Sequence, residues 1–187
     1  MTVWIVLALL AAIAVYAITV YNRLVSSRQM TEEAWSGIDV QLKRRSDLIP
    51  NLVDTVKGYA AHERGVLENV TELRNAARAV PAGDVEGRAK AESALSLALG
   101  RLLAVAENYP DLKASANFVE LQQELSNLES EIQMARRYYN GAVRNLNTMV
   151  ESFPSNIVAS RFGFTKREYF EIEEAADRTL PKVSFQT

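Results

Sequence analysis

FVELQQELSNLESEIQMARRYYNGAVRNLNTMVESF, residues 118–153, decides the architecture of this chain. Its apolar positions are Phe118, Leu121, Leu125, Leu128, Ile132, Ala135, Tyr139, Ala142, Leu146, Met149 and Phe153. They recur in steps of three and four with no charge on the stripe, which keeps one face of an α-helix apolar along its length. A strand needs a period of two, so β structure is excluded here, and the stripe reads as a coiled-coil-like seam against partner helices.

The same alternation runs upstream through Trp35, Ile38, Leu42, Arg45, Ile49, Leu52, Val56, Tyr59, Glu63, Val66, Val70, Leu73 and Ala77. Pro50 lies inside it and should kink or break a helix, since it lacks the amide donor and crowds the preceding turn. The unchanged phase on both sides favours a kinked but continuous helix from about Arg23 to Ala79. Val80-Pro81-Ala82-Gly83 ends that helix, and Asp84 caps the next. Its apolar face is Ala91, Leu95, Ala98, Leu102, Val105 and Tyr109, and Pro110 stops it. Asp111 or Ser115 caps the helix of residues 118–153, and Pro154 ends it. Thr165-Lys166-Arg167-Glu168 has the form of a capping box and predicts a final helix to about Arg178.

The N-terminus carries a different signal. No charged side chain occurs from Met1 to Asn22, and Val3–Val20 is almost wholly apolar. Eighteen residues at about 1.5 Å each span roughly 27 Å, close to a bilayer core of about 30 Å. Val3, Trp4, Leu7, Ala8, Ala12, Tyr16 and Val20 are the expected membrane residues, with Trp4 and Tyr16 towards opposite interfaces. Ala12-Ile13-Ala14 resembles a cleavage site, but a signal peptide wants a basic segment before its apolar core, and none precedes this one. An uncleaved anchor is therefore expected. Arg23 and Arg28 follow the span directly, so the positive-inside bias places the N-terminus outside and the C-terminal bulk in the cytoplasm.

Composition narrows the chemistry. The 21 basic and 23 acidic residues nearly cancel, which implies no nucleic-acid partner. There is no cysteine and a single histidine, His62. His62-Glu63 begins like a zinc-protease helix, but the second histidine is missing, and di-iron bundles need two Glu-x-x-His pairs. The carboxylates Glu120, Glu124, Glu129 and Glu131 read as a solvated helix face. Lys43-Arg44-Arg45 lies about 35 Å beyond the span on an upright helix, well outside a Debye length of about 8 Å. For Arg45 on the seam, a buried partner and a snorkelled exit to water both stay open, whereas Glu63 is expected to have a buried partner.

At this point the residues themselves resemble a known family. Glu33-Ala34-Trp35-Ser36-Gly37-Ile38-Asp39-Val40-Gln41-Leu42, Asp47-Leu48-Ile49-Pro50-Asn51-Leu52-Val53, Glu107-Asn108-Tyr109-Pro110-Asp111-Leu112, Phe153-Pro154-Ser155-Asn156 and Pro181-Lys182-Val183-Ser184-Phe185 are similar to the LemA family of bacterial membrane proteins. The chain departs from the usual pattern at Leu146-Asn147 and at Leu128-Glu129-Ser130. The resemblance implies one N-terminal anchor and a cytoplasmic helical bundle at the bacterial inner membrane, and it supplies no catalytic residues. Some relatives take part in shaping intracellular membrane compartments, and some are encoded beside membrane proteases.

The expected protein is all-α: a transmembrane helix (1–22), then an elongated antiparallel bundle (23–187) of three long helices and a short C-terminal one. Val56, Tyr59, Glu63, Leu95, Leu102, Leu121, Leu125, Leu128, Ile132, Tyr139 and Leu146 form its expected core. Helices of about 85, 37 and 57 Å do not match. The mismatch predicts a bare stripe at Trp35, Ile38, Leu42, Arg45 and Ile49, through which identical chains would pack. The functional expectation is a non-enzymatic, membrane-anchored scaffold without cofactor or metal, bound to lipid through residues 1–22 and homo-oligomeric. The alternative is an accessory subunit docking a membrane protease or another membrane enzyme.

Overall fold

A computed structural model describes residues 1–171, and the predicted final helix beyond Glu171 lies outside the described residues. Six helices follow in order: α1 (Thr2–Tyr59), α2 (Arg64–Ala79), α3 (Val85–Ala106), the single turn α4 (Pro110–Lys113), α5 (Ala116–Glu151) and α6 (Ser155–Arg161). No strand occurs among the described residues. The chain packs as two compact units, one of Met1–Gln41 with Glu131–Tyr169 and one centred on Leu42–Ser130.

In the second unit, the predicted helix through residue 79 is two helices. α1 passes through Pro50 and stops at Tyr59. The chain then turns over Ala60–Glu63, with the Glu63 amide donating to the Ala60 carbonyl at 3.0 Å. Ala60 is buried in the core, which closes the turn. α2 returns antiparallel to α1 and buries Leu67, Val70 and Ala77 against a cluster that includes Leu48, Ile49, Leu52 and Val56. The seam kept its phase across the turn because both helices face the same core.

Pro50 explains one contact of this hairpin. In a regular helix the amide of residue 50 would serve the carbonyl of Ser46, and proline has no amide hydrogen. Arg74 of α2 supplies the missing donor, its Nε–H reaching the Ser46 oxygen at 2.6 Å. Replacing Arg74 with leucine leaves that carbonyl unsatisfied, and a cost of about 1–3 kcal/mol in urea unfolding is expected. A Pro50→Ala background should shrink this cost, because the backbone then serves its own carbonyl.

The remaining helices follow from their caps and apolar faces. The Asp84 side chain accepts the Gly87 amide at 2.7 Å and starts α3, as its sequence position predicts. Pro110 takes the first position of α4, where a missing amide costs nothing. α3 contributes Leu95, Ala98, Leu99 and Leu102 to the core, and α5 contributes Phe118, Leu121, Leu125 and Leu128. α5 is antiparallel to α1 in this unit: Asn117 donates to Thr55 at 3.1 Å and Glu129 meets Arg45.

In the first unit the two helices are antiparallel again, with Trp35 beside Tyr139 (ring centroids 5.4 Å apart) and Ser27 Oγ donating to Met149 Sδ at 3.4 Å. Val20, Leu24, Leu146, Val158, Ala159 and Phe164 form this unit's own core. The capping-box expectation at Thr165 is overturned, since residues 164–171 carry no helix. Side chains of α5 hold this stretch by its backbone. Asn147 donates to the Arg167 carbonyl and accepts the Arg167 amide, both at 2.9 Å, and the Tyr139 hydroxyl donates to the Glu168 carbonyl at 2.9 Å. Those bonds use backbone groups that a helix would have needed.

Candidate functional site

The first turns of α1 carry the clearest functional signal. Val3, Trp4, Leu7, Ala8, Ala12 and Tyr16 are all exposed, as are Ile5, Leu9, Leu10 and Ile13. A core helix of a soluble domain hides such side chains, whereas this segment has the length and apolarity to cross a membrane while almost none of it is covered. Its far end differs. Val20 is buried by protein, Ala17 is partly covered, and Leu24 is fully enclosed. The Tyr21 ring meets Phe162 edge-on at 4.9 Å and Phe164 at 5.8 Å, and the Arg28 guanidinium lies 5.4 Å from the Phe164 ring centre. The apolar segment therefore runs directly into a folded base made by the end of α5, α6 and the chain after it. Phe153, counted on the α5 seam from its spacing, is instead 80% exposed at this base.

The predicted interface stripe is located differently. Ile38, Leu42, Arg45 and Ile49 are each no more than 1% exposed, and Trp35 is half-buried against Tyr139. The bare stripe is a mistaken expectation. It assumed that the helix after Pro110 leads away from the anchor, but the extra turn at Ala60–Glu63 reverses that sense. α5 consequently runs antiparallel to α1 in both units, and these positions are covered by their own chain. Of the expected core, Val56, Leu95, Leu102, Leu121, Leu125, Leu128, Ile132, Tyr139 and Leu146 are buried. Tyr59 is not: it ends α1 and is 47% exposed. Glu63 sits half-buried in the turn and accepts the Tyr109 hydroxyl at 3.0 Å. That bond to a carboxylate raises the Tyr109 pKa above its usual value. Burial likewise raises the pKa of Tyr139.

Arg45 has partners. Its guanidinium donates to Glu92 and to Glu129, each at 2.5 Å, and to Ser96 Oγ at 2.9 Å. Arg88 closes the group with a 3.0 Å pairing to Glu92. Among the described residues, two cations and two carboxylates thus meet inside the second unit, the arrangement that makes buried charge tolerable. Glu129 belongs to this network, not to the solvated face its neighbours form. Glu92 was missed, although stepping back three and seven residues from Leu95 and Leu99 lands on it.

Among the described residues, no group of three His, Asp or Glu side chains is placed to hold a metal ion. A cleft of about 530 Å³ between the end of α1 and α2 is lined by Val53, Lys57 and Leu67, with Asp54, Arg64, Glu68 and Glu72 of mixed charge.

Fold and anchor segment together define an all-α protein whose long first helix begins with a stretch able to cross a bilayer. The chain belongs to the LemA family, whose pattern matches residues 34–185. It is similar to the magnetosome protein MamQ 1 of Paramagnetospirillum magneticum, 27% identical over 184 residues that cover 86% of this chain and 68% of the relative. The MamQ of Magnetospirillum gryphiswaldense is 26% identical with the same coverage. Protein LemA of Metamycoplasma hominis is 28% identical over 153 residues, covering 82% of this chain and 69% of that protein. None of these names states a reaction.

Proposed function

We propose that this protein is a non-enzymatic scaffold held in a membrane by residues 2–20 of α1, with its N-terminus outside and its helical bundle in the cytoplasm. The observation that carries this reading is the exposed apolar start of α1, continuous with a helix that enters a folded core at Val20 and Leu24. One unbroken helix transmits the position of the anchor to the domain, as a scaffold at a membrane surface requires. Arg23 and Arg28 after the span, with no charged side chain before it, support the orientation. Similarity to magnetosome proteins and to LemA supports work at a membrane, where the bundle would organise other membrane proteins or the membrane itself. Packing of identical chains through Ile38, Leu42, Arg45 and Ile49 is no part of this reading, since those side chains are already enclosed.

The chain's lack of cysteine makes a direct test available. In intact spheroplasts, a membrane-impermeant maleimide should label a Thr2→Cys variant and spare Glu124→Cys until the membrane is opened. The reverse pattern would overturn the orientation. Release of the protein by alkaline carbonate would overturn the anchor.

A further inference from the structure

The base of the anchor exposes more apolar surface than a soluble domain end needs. At the elbow between α5 and α6, Phe153 is 80% exposed and Ile157 and Phe162 are each 59% exposed. All three belong to the unit that contains the span. Their level along α1 is set by two contacts. Phe162 packs on Tyr21, and Ala17 is partly covered by the cluster that holds Val158, Ala159 and Phe164. Ala17 to Tyr21 is about 6 Å of helix, so this end of the fold lies beside the last turn of the apolar segment. Between Ser152 and Thr165 the sole charged side chain is Arg161, and Glu151 just before it is paired with Lys166 at 2.7 Å.

Resting on the reading that α1 spans a bilayer, we propose that this elbow is a second membrane contact. Phe153, Ile157 and Phe162 enter the interfacial layer of the leaflet from which α1 emerges, and lipid is the occupant of the exposed apolar patch. Three features select lipid over another protein. Phe162 packs on Tyr21 at the end of the apolar segment, aromatic rings favour the headgroup boundary, and a lone arginine suits anionic headgroups. A helix held at two places resists tilting, so the elbow would set the angle at which the bundle leaves the membrane.

Nitroxide labels on single-cysteine variants of the full chain test this in phosphatidylcholine–phosphatidylglycerol vesicles. Phe153→Cys and Ile157→Cys replace exposed side chains and leave the core intact, Leu10→Cys marks the span, and Glu124→Cys marks water. Labels at 10, 153 and 157 should be relaxed several-fold more by oxygen than by a nickel chelate, and the label at 124 more by the chelate. Chelate-accessible labels at 153 and 157 beside an oxygen-accessible label at 10 would overturn the elbow proposal and leave the anchor standing. A chelate-accessible label at 10 would overturn both. Exclusion of both reagents from 153 and 157 would place protein on the patch and overturn the proposal as well.

Discussion

Replacing Glu92 with leucine should destabilise the folded domain by about 3–5 kcal/mol, the cost of stranding a buried charge. Arg45 has no access to water, and Glu92 beside it is buried as well. Without it, Arg45 keeps Ser96 and the partly exposed Glu129 among the described residues, and Arg88 loses one of its partners. For a domain of this size the loss corresponds to a fall in Tm of roughly 6–20 °C, read by circular dichroism. Removing the charge on both sides separates pairing from packing. An Arg45→Met, Glu92→Leu chain should recover much of the loss, because a well-packed apolar pair replaces buried ions at little net cost. A single variant that unfolds with the parent would show that Arg45 finds water instead.

Placing arginine at Leu7 and Leu10 should release the protein from membranes while leaving its fold intact. Each arginine near the centre of a span costs about 2.5–3.5 kcal/mol on insertion scales. Two together shift partitioning by about four orders of magnitude or more. Both leucines are exposed along the first turns of α1, so neither change touches the folded base. The expected result is loss from the carbonate-washed membrane fraction with unchanged far-ultraviolet circular dichroism per residue. Leu24→Arg is the contrasting variant. Leu24 is enclosed with Leu146 and Phe164, so it should unfold the base while the anchor still inserts. Retention of the Leu7→Arg, Leu10→Arg chain in washed membranes would mean that something other than these turns holds it there.

The errors of the sequence reading share one cause. The seam through residue 77 kept its phase, so nothing local announced the reversal after Tyr59. That turn is stabilised by Ala60 in the core and by Arg74 reaching back to the carbonyl that Pro50 leaves without a donor. The capping box at Thr165 failed for a similar reason, because Asn147 and Tyr139 outbid a local helix for the backbone of Arg167 and Glu168. One missed turn then propagated. It changed the direction of α5 relative to α1, and a stripe expected to be bare became the covered interior of the protein.

By itself the sequence determined what depends on short range: helical periodicity, the cap at Asp84, the stop before Pro110, the apolar span and the absence of cysteine chemistry. These follow from spacing, dihedral limits and transfer free energy, which neighbouring residues settle among themselves. Only the tertiary structure decided where the chain reverses, which carboxylates meet Arg45, and which apolar side chains stay outside. Each of those depends on residues tens of positions apart, whose meeting is set by the balance of burial and hydrogen bonding over the whole fold.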